Sequence, residues 1–160
     1  MRSETTDFEG GMAAAGGDRP EDQRVRFSTK IAVVLREDLA VWQKLNAAAF
    51  LVSGVAGTEP DCIGAPYEDA SGHRYLPMFR QPVLIFASNA EQLRRAYDRL
   101  RDCGLGFSVF TEDLFRTNHD AANRAAVKAV RSEDLRLVGM AVRGERKLVD
   151  KALKGLALHR

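Results

Sequence analysis

No stretch of this sequence approaches the ~18 consecutive apolar residues that a membrane-spanning helix requires, so integral membrane residence is set aside. Cysteine is scarce. Cys62 and Cys103 stand alone, in neither a metal-ligand spacing nor a disulfide framework, and two reduced thiols in a cytoplasmic protein are expected. Cys62 falls in a polar loop without a neighbour to activate it, so it is not read as a nucleophile. An excess of one charge is missing too. Twenty-four Lys and Arg balance 22 Asp and Glu for a net +2, which gives no global basic field to attract nucleic acid. Neither a Gly-rich phosphate loop, a nucleophile elbow nor a zinc pattern occurs. No cofactor and no metal site are expected.

What is present fits one compact α/β domain. The 160 residues are 45% apolar and 29% charged, as in globular proteins with a real core. Residues 1–27 mix Gly, Ala, acids and arginines without an apolar period or a secretory pattern. They are expected to form a disordered or loosely held tail before a single domain over 28–160. "KIAVVLRE" (30–37) reads as a strand buried on both faces. Asp38 is the expected cap of a helix to about Gly57, with Leu39, Trp42, Leu45, Ala49 and Val52 inward. Asn46 falls among these apolar positions, so it is expected to be buried and to have a hydrogen-bond partner. A hairpin around Ser71-Gly72 precedes a strand over 81–88. Asn89 and Gln92 have capping-box spacing for a helix over 90–103, with Leu93, Ala96, Tyr97, Leu100 and Cys103 as its stripe. A strand over 105–112, a helix faced by Ala122, Ala125, Ala126, Ala129 and Val130, a strand over 136–142, a turn at Gly144 and a helix over 145–154 follow. Its inward residues are Leu148, Val149, Ala152 and Leu153, and "LAL" can add a short last strand. Alternating strands and helices imply an α/β layered sheet.

One segment is unusually polar. "FTEDLFRTNHD" (110–120) brings Asp113, Arg116, Thr117, Asn118, His119 and Asp120 together where a strand passes into a helix. In open α/β sheets ligands lie off the carboxyl ends of strands, and a helix amino terminus offers free amide donors to an anion. Either Asn118 or Asp120 can be the cap. Imidazole is the side chain best suited to proton transfer near neutral pH, which makes His119 the acid–base candidate of the segment, and Asp113 can orient it or a water.

The stretches "KLNAAAFLVSG", "YLPMFRQPVLIFAS", "FTEDLFRTNHDAANRAAV" and "VGMAVRG…VDKALKGL" resemble a small bacterial family, domain of unknown function 2000, from about Lys30 to His159. The resemblance implies the fold of peptidyl-tRNA hydrolase II, a three-layer α/β/α structure with a mixed sheet of about four strands. That enzyme has a Lys-x-Ala-Ala-Gln motif, to which "KLNAA" is similar through Lys44, with Ala48 in place of the glutamine. Its Asp-Ala-Gly-Arg-Thr-Gln motif resembles "DLFRTN" through Asp113, Arg116 and Thr117, with Phe115 for the glycine and Asn118 for the glutamine.

Three functions follow as expectations. One is a hydrolase of an ester or amide carbonyl, with Asp113 and His119 catalytic and Lys44, Asn46, Arg116, Thr117 and Asn118 binding a peptidyl- or aminoacyl-tRNA-like substrate. Lys44 points away from Asn46 on a helix, which counts against a simple version of it. Another is a non-catalytic module for a small anionic molecule or a protein. The third is tRNA binding without hydrolysis. A homodimer is compatible with all three.

Overall fold

The computed structural model describes residues 25–160, so nearly all of the segment 1–27 lies outside the described residues. The chain opens with β1 (Thr29–Arg36). Ile31 to Leu35 are all buried, as a β-branched run without a polar alternate position requires. Ala32 and Val34 enter one hydrophobic cluster and Val33 and Leu35 the other. Each cluster occupies one face of the sheet.

Helix α1 (Val41–Thr58) follows, then a hairpin of β2 (Tyr67–Glu68) and β3 (Arg74–Tyr75), which turns at Gly72 with φ of 82°. Strand β4 (Val83–Ser88), helix α2 (Ala90–Asp102) and strand β5 (Phe107–Thr111) come next. Helix α3 (Asp120–Lys128), strand β6 (Leu137–Glu145), helix α4 (Arg146–Ala152) and strand β7 (Ala157–Leu158) complete the chain. The main sheet is mixed and has five strands in the order β5-β6-β1-β4-β7. β7 is the short last strand that "LAL" can add, antiparallel to β4 at the edge.

β1 lies parallel to β4 and antiparallel to β6, and β6 is antiparallel to β5. β1, β4 and β5 therefore point the same way, and their carboxyl ends share one edge. α1 covers the face formed by Val33, Leu35, Val138 and Ala141. The other face, with Ala32, Val34, Met140 and Val142, carries α2 and α4 through Leu93, Leu100, Val149 and Ala152. Helices thus lie on both sides of the sheet. Gly139 lets α1 come close, because a Cβ there would lie 2.7 Å from the Val34 carbonyl oxygen and 3.0 Å from Leu51 Cδ1.

Several sequence expectations need correction. α1 begins after Ala40, not Asp38, and its only cap is the Gln43 Oε1 that accepts from the Ala40 N–H at 3.0 Å. Asp38 instead accepts from Arg36 Nε at 2.7 Å. The inner line of α1 is Ala47, Leu51 and Val55, while Trp42 and Leu45 are exposed. α3 buries no residue fully, and its packing comes from Val127, followed by Val130, rather than from the alanines. Gly144 lies inside β6, which runs through it to Glu145. The capping box of α2 is as expected: Asn89 Oδ1 accepts from Gln92 N–H at 2.8 Å, and Gln92 Oε1 from Asn89 N–H at 2.9 Å.

Candidate functional site

β5 loses register at Phe110/Thr111, and the chain tightens into a 3₁₀ turn, Glu112–Arg116. The turn points Leu114 and Phe115 toward the α1 face of the core. The Phe115 ring then stands 4.9 Å from Phe110 and 5.5 Å from Trp42, the latter edge-on. Between this turn and α1 lies a cleft of about 510 Å³. Trp42, Asn46, Phe50 and Ser53 form its α1 side; Phe110, Leu114, Phe115, Thr117, Asn118, His119, Asp120 and Asn123 form the other. Its lining joins four aromatic rings to polar side chains from both sides.

His119 supplies the cap of α3, a role expected of Asn118 or Asp120. Its Nδ1 accepts the Ala122 N–H at 3.2 Å. A neutral imidazole that accepts at Nδ1 carries its proton on Nε2, so the free nitrogen is a donor. Asp120 occupies the first helical position and pairs with Arg124 at 2.8 Å. The Thr117 hydroxyl lies 3.0 Å from the Leu114 carbonyl and also meets the Asn123 amide.

Asn46 is exposed, contrary to the buried position expected. It sits one residue before Ala47, hence ~100° around the helix from the buried line. Its amide and that of Asn118 make no side-chain hydrogen bond among the described residues, and both line the cleft. Asn46, Thr117, Asn118 and His119 are thus brought together.

Asp113, Lys44 and Arg116 do not line the cleft. Asp113 accepts from Arg136 at 2.6 Å. Lys44 is half-buried and Arg116 exposed. Beside Asp113, Arg36 donates to Glu112 at 2.7 Å and to the Leu137 carbonyl at 3.2 Å, and Arg136 approaches Glu112 at 3.3 Å. The hydrogen bond to Asp38 raises the Arg36 pKa, against the opposing effect of burial. These guanidinium groups are spent on carboxylates. Neither a lysine nor an arginine lines the cleft.

A smaller cavity of about 310 Å³ lies farther along α1, between Gly54, Thr58, Gly106, Ser108 and Arg143. Arg143 is held there by Glu59 and, at 3.1 Å, Asp61. Cys62 nearby is fully buried, and burial raises its thiol pKa. That is the setting of an inert thiol. Among the described residues no group of three or more His, Cys, Asp or Glu could hold a metal, and no helix is long and apolar enough to cross a membrane.

Residues 29–160 match the family model described as "Protein of unknown function (DUF2000)". The chain belongs to that family. Among solved structures it is similar to the protein of unknown function Atu0240 from Agrobacterium tumefaciens strain C58. The two are 45% identical with a TM-score of 0.82, over 84% of this chain and 100% of the other. No curated protein matches. In this DUF2000 chain, Trp42, Phe50, Phe110, Phe115, Ser53 and Asn123 are cleft residues that the sequence reading did not assign to a site. One signal was available: α1 has a single charged residue, Lys44, in 18 positions.

Proposed function

We propose that the cleft binds a small uncharged molecule with a flat apolar body and amide or carbonyl groups, without chemical conversion. The observation that carries this is the pair of amides, Asn46 and Asn118, which make no side-chain hydrogen bond among the described residues and line one cleft together with exposed Trp42 and Phe50. Ligand sites combine apolar walls with a few polar groups that fix orientation. An amide offers two donors and an acceptor, so the two asparagines and His119 Nε2–H suit carbonyl and amide edges. A small anion is less well suited, because no lysine or arginine lines the cleft and its one carboxylate, Asp120, already takes up Arg124. The same absence weighs against tRNA.

Hydrolysis of an ester or amide carbonyl is the second reading. It is favoured by the donors themselves, which could hold a carbonyl oxygen, and by the likeness of "DLFRTN" to the peptidyl-tRNA hydrolase II motif. That likeness, with helices on both sides of a mixed sheet, also supports a peptidyl-tRNA hydrolase II-like fold. General-base chemistry finds less support, since Asp113 is engaged by Arg136 and His119 Nδ1 by the helix. The motif is split, with Thr117 and Asn118 on the cleft and Asp113 and Arg116 off it.

Trp42 is the only tryptophan of the chain, so its emission reports on the cleft. A panel of nucleosides, N-acetyl aromatic amides and N-acylaminoacyl esters is titrated against it. A compound that shifts the emission in the wild type, and fails to do so in Asn46→Ala/Asn118→Ala, supports binding. Undiminished response in the double variant removes the reading. Turnover of an ester that His119→Ala abolishes would favour the hydrolase instead.

A further inference from the structure

Two apolar surfaces are left uncovered among the described residues. The first is the outer side of α1, where Val41, Leu45 and Ala49 follow at helical spacing with Trp42 beside them. Leu45 is 67% exposed and Trp42 60%. Lys44, the single charge of the helix, is half-buried. A helix that is apolar all round is normally covered on every side.

The second surface is the arm formed by residues 65–78, all of them exposed. It carries Tyr67, Tyr75, Leu76 and Met78, with Leu76 84% exposed. Backbone hydrogen bonds tie it down at its root, from Gly64 N–H to the Met78 carbonyl and from Arg80 N–H to the Cys62 carbonyl, both at 2.9 Å. Within the arm, Asp69 accepts from the backbone of Ser71 at 2.9 Å and of His73 at 3.0 Å, and from the Tyr75 hydroxyl at 2.7 Å. The arm is internally ordered, yet a lone two-stranded hairpin is at best marginally stable in water.

These surfaces lie at opposite ends of one helix. Val41, Trp42 and Leu45 occupy its first turns, whereas the arm leaves the body just after the turn Pro60–Cys62 that follows its carboxyl end. A two-fold axis across α1 would set a second copy's helix antiparallel to the first. Each arm would then reach the amino-terminal half of the other copy's α1. We infer that this chain forms a two-fold homodimer in which the arm of each copy packs on Val41, Trp42 and Leu45 of the other.

Placement and charge agree with a second copy as the occupant, since both surfaces belong to this chain and lie at opposite ends of one helix. The outer side of α1 presents no charge, and charges on the arm are answered within it, Arg74 by Glu68 at 3.8 Å and Asp69 by the bonds above. Residues 1–24 suit the surface poorly, since Met1, Phe8 and Met12 are their only large apolar side chains.

Sedimentation equilibrium of the full chain at micromolar concentrations tests the pairing. The wild type is expected at twice the monomer mass of 17.7 kDa. Leu45→Asp and Leu76→Asp are each expected at the monomer mass, with unchanged far-ultraviolet circular dichroism. Mixed together they should associate, because the intact arm of Leu45→Asp meets the intact helix of Leu76→Asp. A monomeric wild type overturns the inference, as does a dimer that survives Leu76→Asp or a mixture that stays monomeric. A monomer that cosediments with phosphatidylglycerol vesicles would also overturn it, and would assign the surface to lipid.

Discussion

Helices α1 and α2 pack on opposite faces of one sheet and differ in almost every other respect. α2 has seven charged residues in 13 positions: Glu91, Arg94, Arg95, Asp98, Arg99, Arg101 and Asp102. Its outer face is thereby marked as solvent-facing, and Leu93, Ala96, Tyr97 and Leu100 are left as the buried stripe. α1 has one charge and apolar residues on all sides, so periodicity cannot choose its inner face. Small residues resolve the ambiguity: Ala47 packs inward with Leu51 and Val55, and bulky Trp42 and Phe50 remain outside. An inner face is legible only when the outer one is polar.

The largest expected effects test that difference directly. Leu100 of α2 is fully buried, and Leu100→Ala should cost ~2–5 kcal/mol through lost transfer energy and a cavity. Leu45→Ala, on the outer side of α1, should change the stability of the fold measured in monomer by no more than ~0.5 kcal/mol. Urea unfolding of both variants at a fixed low concentration gives the comparison. Equal losses would break it.

The helix starts differ as well. Asn89→Ala removes a reciprocal capping box and should destabilise by ~0.5–2 kcal/mol. Ala40→Asn, at the start of α1 where the N-cap residue has no side-chain acceptor for the first-turn amides, should instead stabilise by ~0.5–1 kcal/mol. Thermal melts should therefore move in opposite directions.

Asn46→Leu sharpens the same point. A buried, bonded amide would lose ~1–3 kcal/mol on this change. An exposed one should lose less than ~0.5 kcal/mol, while the Trp42 response to a cleft ligand falls. A loss in the upper range would return Asn46 to the interior.

The smallest effect belongs to the arm, which neither helix supports. Hydrogen bonds from the Tyr75 hydroxyl and then the His73 backbone lower the Asp69 pKa. A carboxylate with a depressed folded value contributes order above its unfolded value near pH 4, and loses that contribution as pH falls through the folded value. Amide exchange at Ser71 and His73 should therefore quicken on acidification below the ordinary carboxylate range. In Asp69→Asn the exchange should be fast already and should show no such step.

Legibility in the sequence followed the same physical line. The strands were readable because β1 and β6 are uninterrupted apolar runs, and α2 because its cap and charges agree. The polar segment was readable as a place, since Thr117, Asn118 and His119 line one cleft. Its chemistry was not. Arg136 is 23 residues beyond Asp113 and takes its carboxylate, a pairing that only the strand order creates. Trp42 and Phe50 of the aromatic wall were missed because α1 is apolar on all sides, where exposed and buried positions look alike.

The placement of β1 has a consequence for how the chain comes into being. Its neighbours arrive late: Ile31 pairs with Val83 on one side, and Thr29 with Glu145 on the other. During synthesis at ~5–20 residues per second, the run "IAVVL" emerges many seconds before β6 can flank it. Until then it is a bare β-branched edge of the kind that recruits other strands. Because closing such long loops precedes any gain from their contacts, the sheet should assemble slowly. Nascent chains halted short of residue 145 should be markedly more prone to aggregate and to engage chaperones than the finished protein.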